Sequence, residues 1–113
     1  MDTTSQRWLV KGEQVLASLD VATDRRSRRR GLLGRDGVDG ALLLPRTRSI
    51  HTIGMRFPID VAFCDDDLTV LRVLTVPPWR VVLPRPGERC AIETERGFFE
   101  KWNVEVGDQL ETR

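Results

Sequence analysis

Residues 58 to 76, PIDVAFCDDDLTVLRVLTV, constrain the fold more than any other stretch of the chain. Ile59, Val61 and Phe63 alternate with Asp60, Ala62 and Cys64, an acidic triplet from Asp65 to Asp67 follows, and an apolar run from Leu68 to Val76 returns. Period-two alternation on either side of a polar turn is the pattern of a β-hairpin. RWLVKGEQVLASLDVA repeats the theme, with Gly12 and Glu13 joining two short strands that carry Trp8, Val10, Val15, Leu16 and Leu19. GVDGALLLP supplies a turn and then a strand buried on both faces, ended by Pro45.

Farther on, Pro77 and Pro78 stop the second strand of the first hairpin, and Pro84, Pro86 and Gly87 mark a turn before RCAIETE. GFFEKWN opens on Gly97 and reads as a helical turn or two, with Asn103 suited to the left-handed conformation at its end. VEVGDQLE is a last strand interrupted by a Gly-Asp turn. One longer helix is expected from TDRRSRRRGLLG, with Thr23 as cap, Asp24 in the positive first turn and Gly31 or Gly34 as terminator. The expected fold class is therefore α+β: a small, mostly antiparallel, barrel-like sheet packed with one main α-helix and a short C-terminal helical turn. All 113 residues fit one β-rich domain, 1–113.

Composition removes several classes of function. No run approaches the ~18 apolar residues that a membrane-spanning helix needs, and the N-terminus lacks the basic start and apolar core of a secretory signal. A cytoplasmic location is the expectation. Cys64 and Cys90 are too few for a disulfide scaffold and lack the CxxC spacing of a zinc or redox motif, so both read as small buried apolar residues, able to approach each other if their strands pair. The net charge of +1 hides an asymmetry: residues 1–56 carry eleven Lys or Arg against six acids, residues 57–113 seven against eleven. The two halves can attract, or present opposite faces.

Arg25, Arg26, Arg28, Arg29 and Arg30 form the densest charge cluster. Phosphate contact is one use for it, but there is no aromatic platform for bases and no zinc-finger or RNA-recognition signature, so nucleic acid is an unfavoured partner. The alternative is a surface helix whose arginines pair with the acidic C-terminal half.

SIHTIGMRFPID, residues 49–60, holds the single histidine of the chain. Alternation places Ser49, His51 and Ile53 on one side and Ile50, Thr52 and Gly54 on the other. One histidine without a cysteine pair does not make a metal site, so no metal or other cofactor is expected. General-base chemistry needs one histidine oriented by a carboxylate, and Asp60 or Glu93 could supply it. Asp60 stands at the head of an apolar strand, where an inward carboxylate needs donors, and Glu93 stands likewise in CAIET; both also suit a structural role tying strands or a turn. Pro77-Pro78-Trp79-Arg80 reads as a loop held in one shape, with Trp79 and Arg80 either forming an interface anchor or folding back over the barrel mouth.

Three segments resemble the domain of unknown function 192 family of small prokaryotic proteins. ATDRRSRRRGLLGR is similar to its N-terminal signature through Thr23, Arg30, Gly31, Leu32, Leu33, Gly34 and Arg35; HTIGMRFPIDVAF to its central signature through Pro58, Ile59, Asp60, Val61 and Phe63; and AIETERGFFEKWNVEVGDQL to its C-terminal signature through Glu93, Gly97, Gly107 and Asp108. Many members read Trp-Met-Lys-Asn-Thr before the Pro-Leu-Asp core. Here His51 stands at the tryptophan, Thr52 at the methionine, Gly54 at the asparagine and Met55 at the threonine. The resemblance implies a compact, barrel-like domain packed with a helix, and no catalytic residues to transfer.

The expected function is a non-enzymatic binding or accessory module. Its groove would form where residues 49–60, the Arg28 to Arg30 end of the helix and PPWR converge, lined by Arg28, Arg30, His51, Thr52, Met55, Asp60, Trp79, Arg80 and Glu93. A basic rim around an aromatic suits an anionic small molecule, a saccharide or an acidic peptide of a protein partner. The rival is a small hydrolase or lyase using His51 with Asp60 or Glu93, and a third possibility is an adaptor that pairs an exposed strand edge with a partner.

Overall fold

A computed structural model describes residues 4–22 and 40–113, with side chains from residue 7 onward. Nine strands run through them: β1 (Thr4–Lys11), β2 (Gln14–Ala22), β3 (Ala41–Leu44), β4 (Ile50–His51), β5 (Ile59–Cys64), β6 (Val70–Val76), β7 (Val81–Val82), β8 (Cys90–Glu95) and β9 (Glu111–Thr112). The main sheet is ordered β6-β5-β8-β3-β2-β1-β9, and β4 and β7 pair as a separate ribbon. Among the described strands, β2 and β3 alone pair in parallel.

Local sequence explains the tight connections. Gly12, at φ 61°, turns β1 into β2. Between β5 and β6 the Oδ1 of Asp65 accepts the N–H groups of Asp67 and Thr69, both at 2.9 Å, so the acidic triplet closes its own turn. Gly40 precedes β3 at φ 86° against the Ser18 backbone; a Cβ there would lie 2.7 Å from the Ser18 carbonyl oxygen. Glycine is what lets β3 lie down beside β2.

The sheet curls until its ends nearly meet. Ahead of β9 the C-terminal segment pairs with the start of β6, through Val70 N–H to Asp108 O at 2.8 Å, Gly107 N–H to Val70 O at 2.8 Å and Leu110 N–H to Leu68 O at 3.0 Å. The same segment then joins β1 as β9. A half-barrel results, with otherwise free edge donors and acceptors paired at that seam.

Both faces of this sheet are buried. On one, Leu19, Ala62 and Ile92 pack with Phe98, Phe99 and Leu110; on the other, Leu42, Val61 and Phe63 pack with Ile50 and Met55. Each large apolar side chain so buried contributes roughly 1.5–3 kcal/mol.

The α+β expectation with one main helix is corrected by this arrangement. Among the described residues the sole helix is α1 (Phe98–Lys101), four residues entered through Gly97 at φ 88° and followed by Asn103 at φ 54°. The longer helix expected over residues 23–34 lies outside the described residues. Among the described residues, cover comes from α1, whose Phe98 and Phe99 close one face, and from the β4–β7 ribbon on the other. Among the described residues no helix is long and apolar enough to cross a membrane.

Candidate functional site

The β4–β7 ribbon brings together two of the three segments expected to converge. Ile50 pairs with Val82 and His51 with Val81. Ile50 is buried and Val82 half-buried against the core, so His51 and Val81 face solvent; Val81 is 59% exposed. Ser49, His51 and Ile53 are all exposed, while Ile50 and Thr52 are buried, as period-two alternation requires; Gly54, expected on the side of Ile50 and Thr52, is exposed.

Thr52 organises the loop opposite. Its hydroxyl donates to Pro77 O at 2.6 Å and accepts the Arg80 N–H at 2.9 Å, its amide donates to Arg80 O at 2.8 Å, and its carbonyl accepts the Trp79 N–H at 2.9 Å and the Met55 N–H at 3.1 Å. One buried threonine thereby fixes the loop backbone at Pro77 and Arg80 through its hydroxyl and at Trp79 and Arg80 through its own backbone. Within that loop Trp79 adopts φ 64°, a left-handed conformation unfavourable for an aromatic residue, and its side chain is 65% exposed. Trp79 does not fold back over the sheet.

A second clamp holds the far end of β7. Glu88, almost fully buried, accepts Nε and Nη2 of Arg72 at 2.9 Å each and the Arg85 N–H at 2.9 Å. The Arg72 guanidinium also lies 4.5 Å from the Phe63 ring centroid and donates to Leu83 O at 3.0 Å. The bidentate ion pair thus pins both β7 and the turn after it to β6.

The remaining expected site residues scatter. Met55 is a core residue. Asp60 pairs in register with Thr94 and Thr75, and its carboxylate accepts the Thr75 hydroxyl at 2.6 Å and the Gly97 N–H at 2.9 Å. It therefore lies on the α1 side of the sheet. Glu93 is buried on the opposite side, register partner of Val61 and Leu42. His51 shares no hydrogen bond with either carboxylate. Arg28 and Arg30 lie outside the described residues. Among the described residues no three His, Cys, Asp or Glu side chains gather into a metal-holding group.

Sequence reasoning missed Ile53 and Leu83, which are 45% and 70% exposed and continue the outward surface of Val81 and Trp79. VVLP between two proline pairs was the available signal, since a short strand covering a core turns alternate residues outward. It missed Arg72 and Glu88 as well, although an arginine in the middle of VLRVLTV demands a buried partner.

Comparison with known proteins agrees with the resemblance read from the signatures. The model of the DUF192 family, described as an uncharacterized ACR, matches residues 8–112. A UPF0127 protein of Thermococcus sibiricus is 35% identical over 107 residues, covering 89% of this chain and 70% of that protein. The UPF0127 protein of Pyrococcus furiosus is 38% identical over 63 residues, covering 56% of this chain and 54% of its own length, so the match to it spans about half of each. Among solved structures, a candidate transcription regulator from Sinorhizobium meliloti superposes with a TM-score of 0.82 at 20% identity, covering 99% of this chain and 97% of that one. A protein of unknown function from Novosphingobium aromaticivorans gives a TM-score of 0.75 at 15% identity, with 96% and 84% covered. These two show a shared fold. With a family model matching nearly its whole length, the chain belongs to the DUF192 family.

Proposed function

We propose that this chain is a non-catalytic binding module whose contact face is the outward side of the β4–β7 ribbon, centred on His51, Trp79 and Arg80, and that it takes an anionic partner. The observation carrying this reading is Trp79, held mostly exposed on left-handed backbone by hydrogen bonds to a buried threonine. Exposing an aromatic and straining its backbone are both unfavourable, and such features cluster where a surface is used. Arg80 beside it, with Arg46 and Arg48 exposed on the facing segment, supplies positive charge.

Acid–base chemistry finds less support. Asp60 lies on the other side of the sheet with both oxygens engaged, and His51 is exposed and has, among the described residues, no carboxylate partner to orient it.

Thermal-shift and tryptophan-fluorescence titration against a panel of organic anions, acidic saccharides and acidic peptides tests the proposal, with His51→Ala and Trp79→Ala as controls. Binding by the wild type that is lost in Trp79→Ala, with an unchanged melting midpoint, is the expected result. No response to any member of the panel, together with wild-type behaviour of both variants, would overturn it.

A further inference from the structure

Ile53, Trp79, Val81 and Leu83 form one outward surface. Trp79 is bonded to Thr52, the neighbour of Ile53; Val81 is the register partner of His51; and Leu83 lies two residues beyond Val81 on the same side of the chain. Four large apolar side chains, each 45–70% exposed, amount to a patch of roughly a few hundred Å², at the size where such patches mark contact sites.

The segments that carry it have charge of one outward sign. Residues 45–58 and 77–89, which build the ribbon and its flanks, contain Arg46, Arg48, Arg56, Arg80, Arg85 and Arg89, and their single acid is Glu88. Glu88 is 1% exposed and neutralised by Arg72, so it presents no charge outward. Protein interfaces have a rim of mixed polar groups around a core depleted in charge, whereas a basic set without an exposed acid fits a partner that is negative throughout.

Two kinds of partner fit less well. Strand addition by a peptide needs a run of free edge donors, and prolines 77, 78, 84 and 86 bracket β7 on both sides and leave it a short edge. A nucleic acid would use the arginines and stack on Trp79, yet it offers nothing to Ile53, Val81 and Leu83.

Resting on the binding-module reading above, we infer that this face docks on an anionic lipid surface, with Ile53, Val81 and Leu83 entering the boundary between headgroups and acyl chains, Trp79 seated at headgroup level, and the arginines on lipid phosphates. Indole prefers that depth because its ring is apolar and its N–H wants a polar neighbour, and guanidinium forks bond phosphate oxygens in pairs.

Co-sedimentation of the full chain with vesicles of phosphatidylcholine alone, and of phosphatidylcholine with one-third phosphatidylglycerol, tests the assignment. Binding is expected to the anionic vesicles only, and to weaken as salt rises. Arg80→Glu lowers partitioning by about fivefold per unit of charge changed, the factor that ~1 kcal/mol per basic residue near the membrane gives. Leu83→Ser, at an exposed position that the fold does not need, weakens binding while leaving the melting midpoint in place. Arg7→Glu, a charge reversal on β1, has little effect. The assignment fails if wild type ignores anionic vesicles at low salt, if Arg7→Glu and Arg80→Glu lose binding equally, or if the chain binds heparin and single-stranded DNA but no vesicle. A protein that ignores vesicles yet responds to soluble anions through Trp79 loses the lipid assignment alone; one that responds to neither loses the binding reading too.

Discussion

Asp60 and Glu93 sit in neighbouring strands near the middle of one sheet and face opposite sides of it, because Asp60 is in register with Thr94 and Glu93 with Val61. Sequence could place each acid at the edge of an apolar run without fixing which side it faced. The register separates them: Asp60 ties the β5–β6 hairpin to the entrance of α1, and Glu93 is enclosed on the side covered by the ribbon. Asp60→Ala leaves the Gly97 amide and the Thr75 hydroxyl without their acceptor. A loss of about 2 kcal/mol is expected, since hydrogen bonds to a charged group contribute ~1.5–3 kcal/mol each and Thr75 can turn to water. Urea unfolding measures it. Asp60→Asn, which keeps one oxygen, should cost clearly less.

Thr52→Val is nearly isosteric and removes only the hydroxyl. The Arg80 N–H and the Pro77 carbonyl then lose a partner inside a region where Thr52 is fully buried, at a cost of about 1–3 kcal/mol. The strained Trp79 should relax once that restraint goes. Faster proteolysis after Arg80 and altered Trp79 fluorescence, read in a background with Trp8 and Trp102 replaced by Phe, would register the change. A side chain whose loss left the loop as rigid as before would not be its clamp.

Elements carrying their own local code were legible in the sequence, and long-range pairings were not. Gly12 reports a turn through its missing Cβ, Asp65 through the oxygen it returns to its own backbone, and Asn103 through its tolerance of positive φ. Period two alone separated Ser49, His51 and Ile53 from Ile50 and Thr52, without saying which side faced inward, and it failed at Gly54, which is exposed. No local pattern encodes the insertion of β3 between β2 and β8, parallel to one and antiparallel to the other, or the C-terminal segment bridging β6 to β1. Those pairings depend on contacts far apart in the chain. Val81 and Leu83 stayed ambiguous for a related reason: both are residues of core type, and nothing local distinguishes an outward valine from an inward one until its partner strand is known.

Arg72 and Glu88 form a nearly dry ion pair, their side chains 14% and 2% exposed. Removing one member strands the other in a poor solvent for charge. Arg72→Ala is expected to cost about 3–5 kcal/mol, the range for breaking a buried pair, and to loosen β7 with it, because the same guanidinium holds Leu83 O. Replacing both residues with apolar ones of similar volume should recover much of that loss. Equilibrium unfolding of the two single variants and the double variant supplies the cycle, and additive losses would show that the pair does not act as a unit.

Lys11 reaches from the end of β1 to Asp108 at 2.9 Å, and the Glu105 N–H donates to the same carboxylate oxygen at 2.8 Å. The ammonium first, and the amide second, hold the Asp108 carboxyl below the usual carboxylate range. A carboxyl depressed in the folded state adds stability that is complete above the unfolded value and disappears as pH falls through the folded one. Asp108→Asn should therefore melt below wild type at neutral pH, with the gap closing in acid. Both partners are partly exposed, so added salt should narrow the gap as well. Melting scans across pH at two salt concentrations check both trends.

Cys64 and Cys90 are register partners on β5 and β8, both free and both buried, and the Cys90 Sγ lies 3.8 Å from the Cys64 carbonyl oxygen. The hydrogen bond with the Cys90 sulfur, followed by burial, pushes the Cys64 thiol far above the ordinary thiol range. It stays protonated in the folded protein at pH values where an unfolded cysteine is already thiolate. The sign follows: this raised group adds stability that is complete below the unfolded thiol value and is lost as pH climbs through and above it. Cys64→Ala should be less stable than wild type throughout because its core has lost volume. Alkylation gives the second measurement, since thiolate is the reacting species. Iodoacetamide should label Cys64 only as fast as the chain unfolds, and mild alkali should not accelerate labelling as it does for a free thiol. Rapid labelling of Cys64 in the folded state would contradict the burial on which this argument depends.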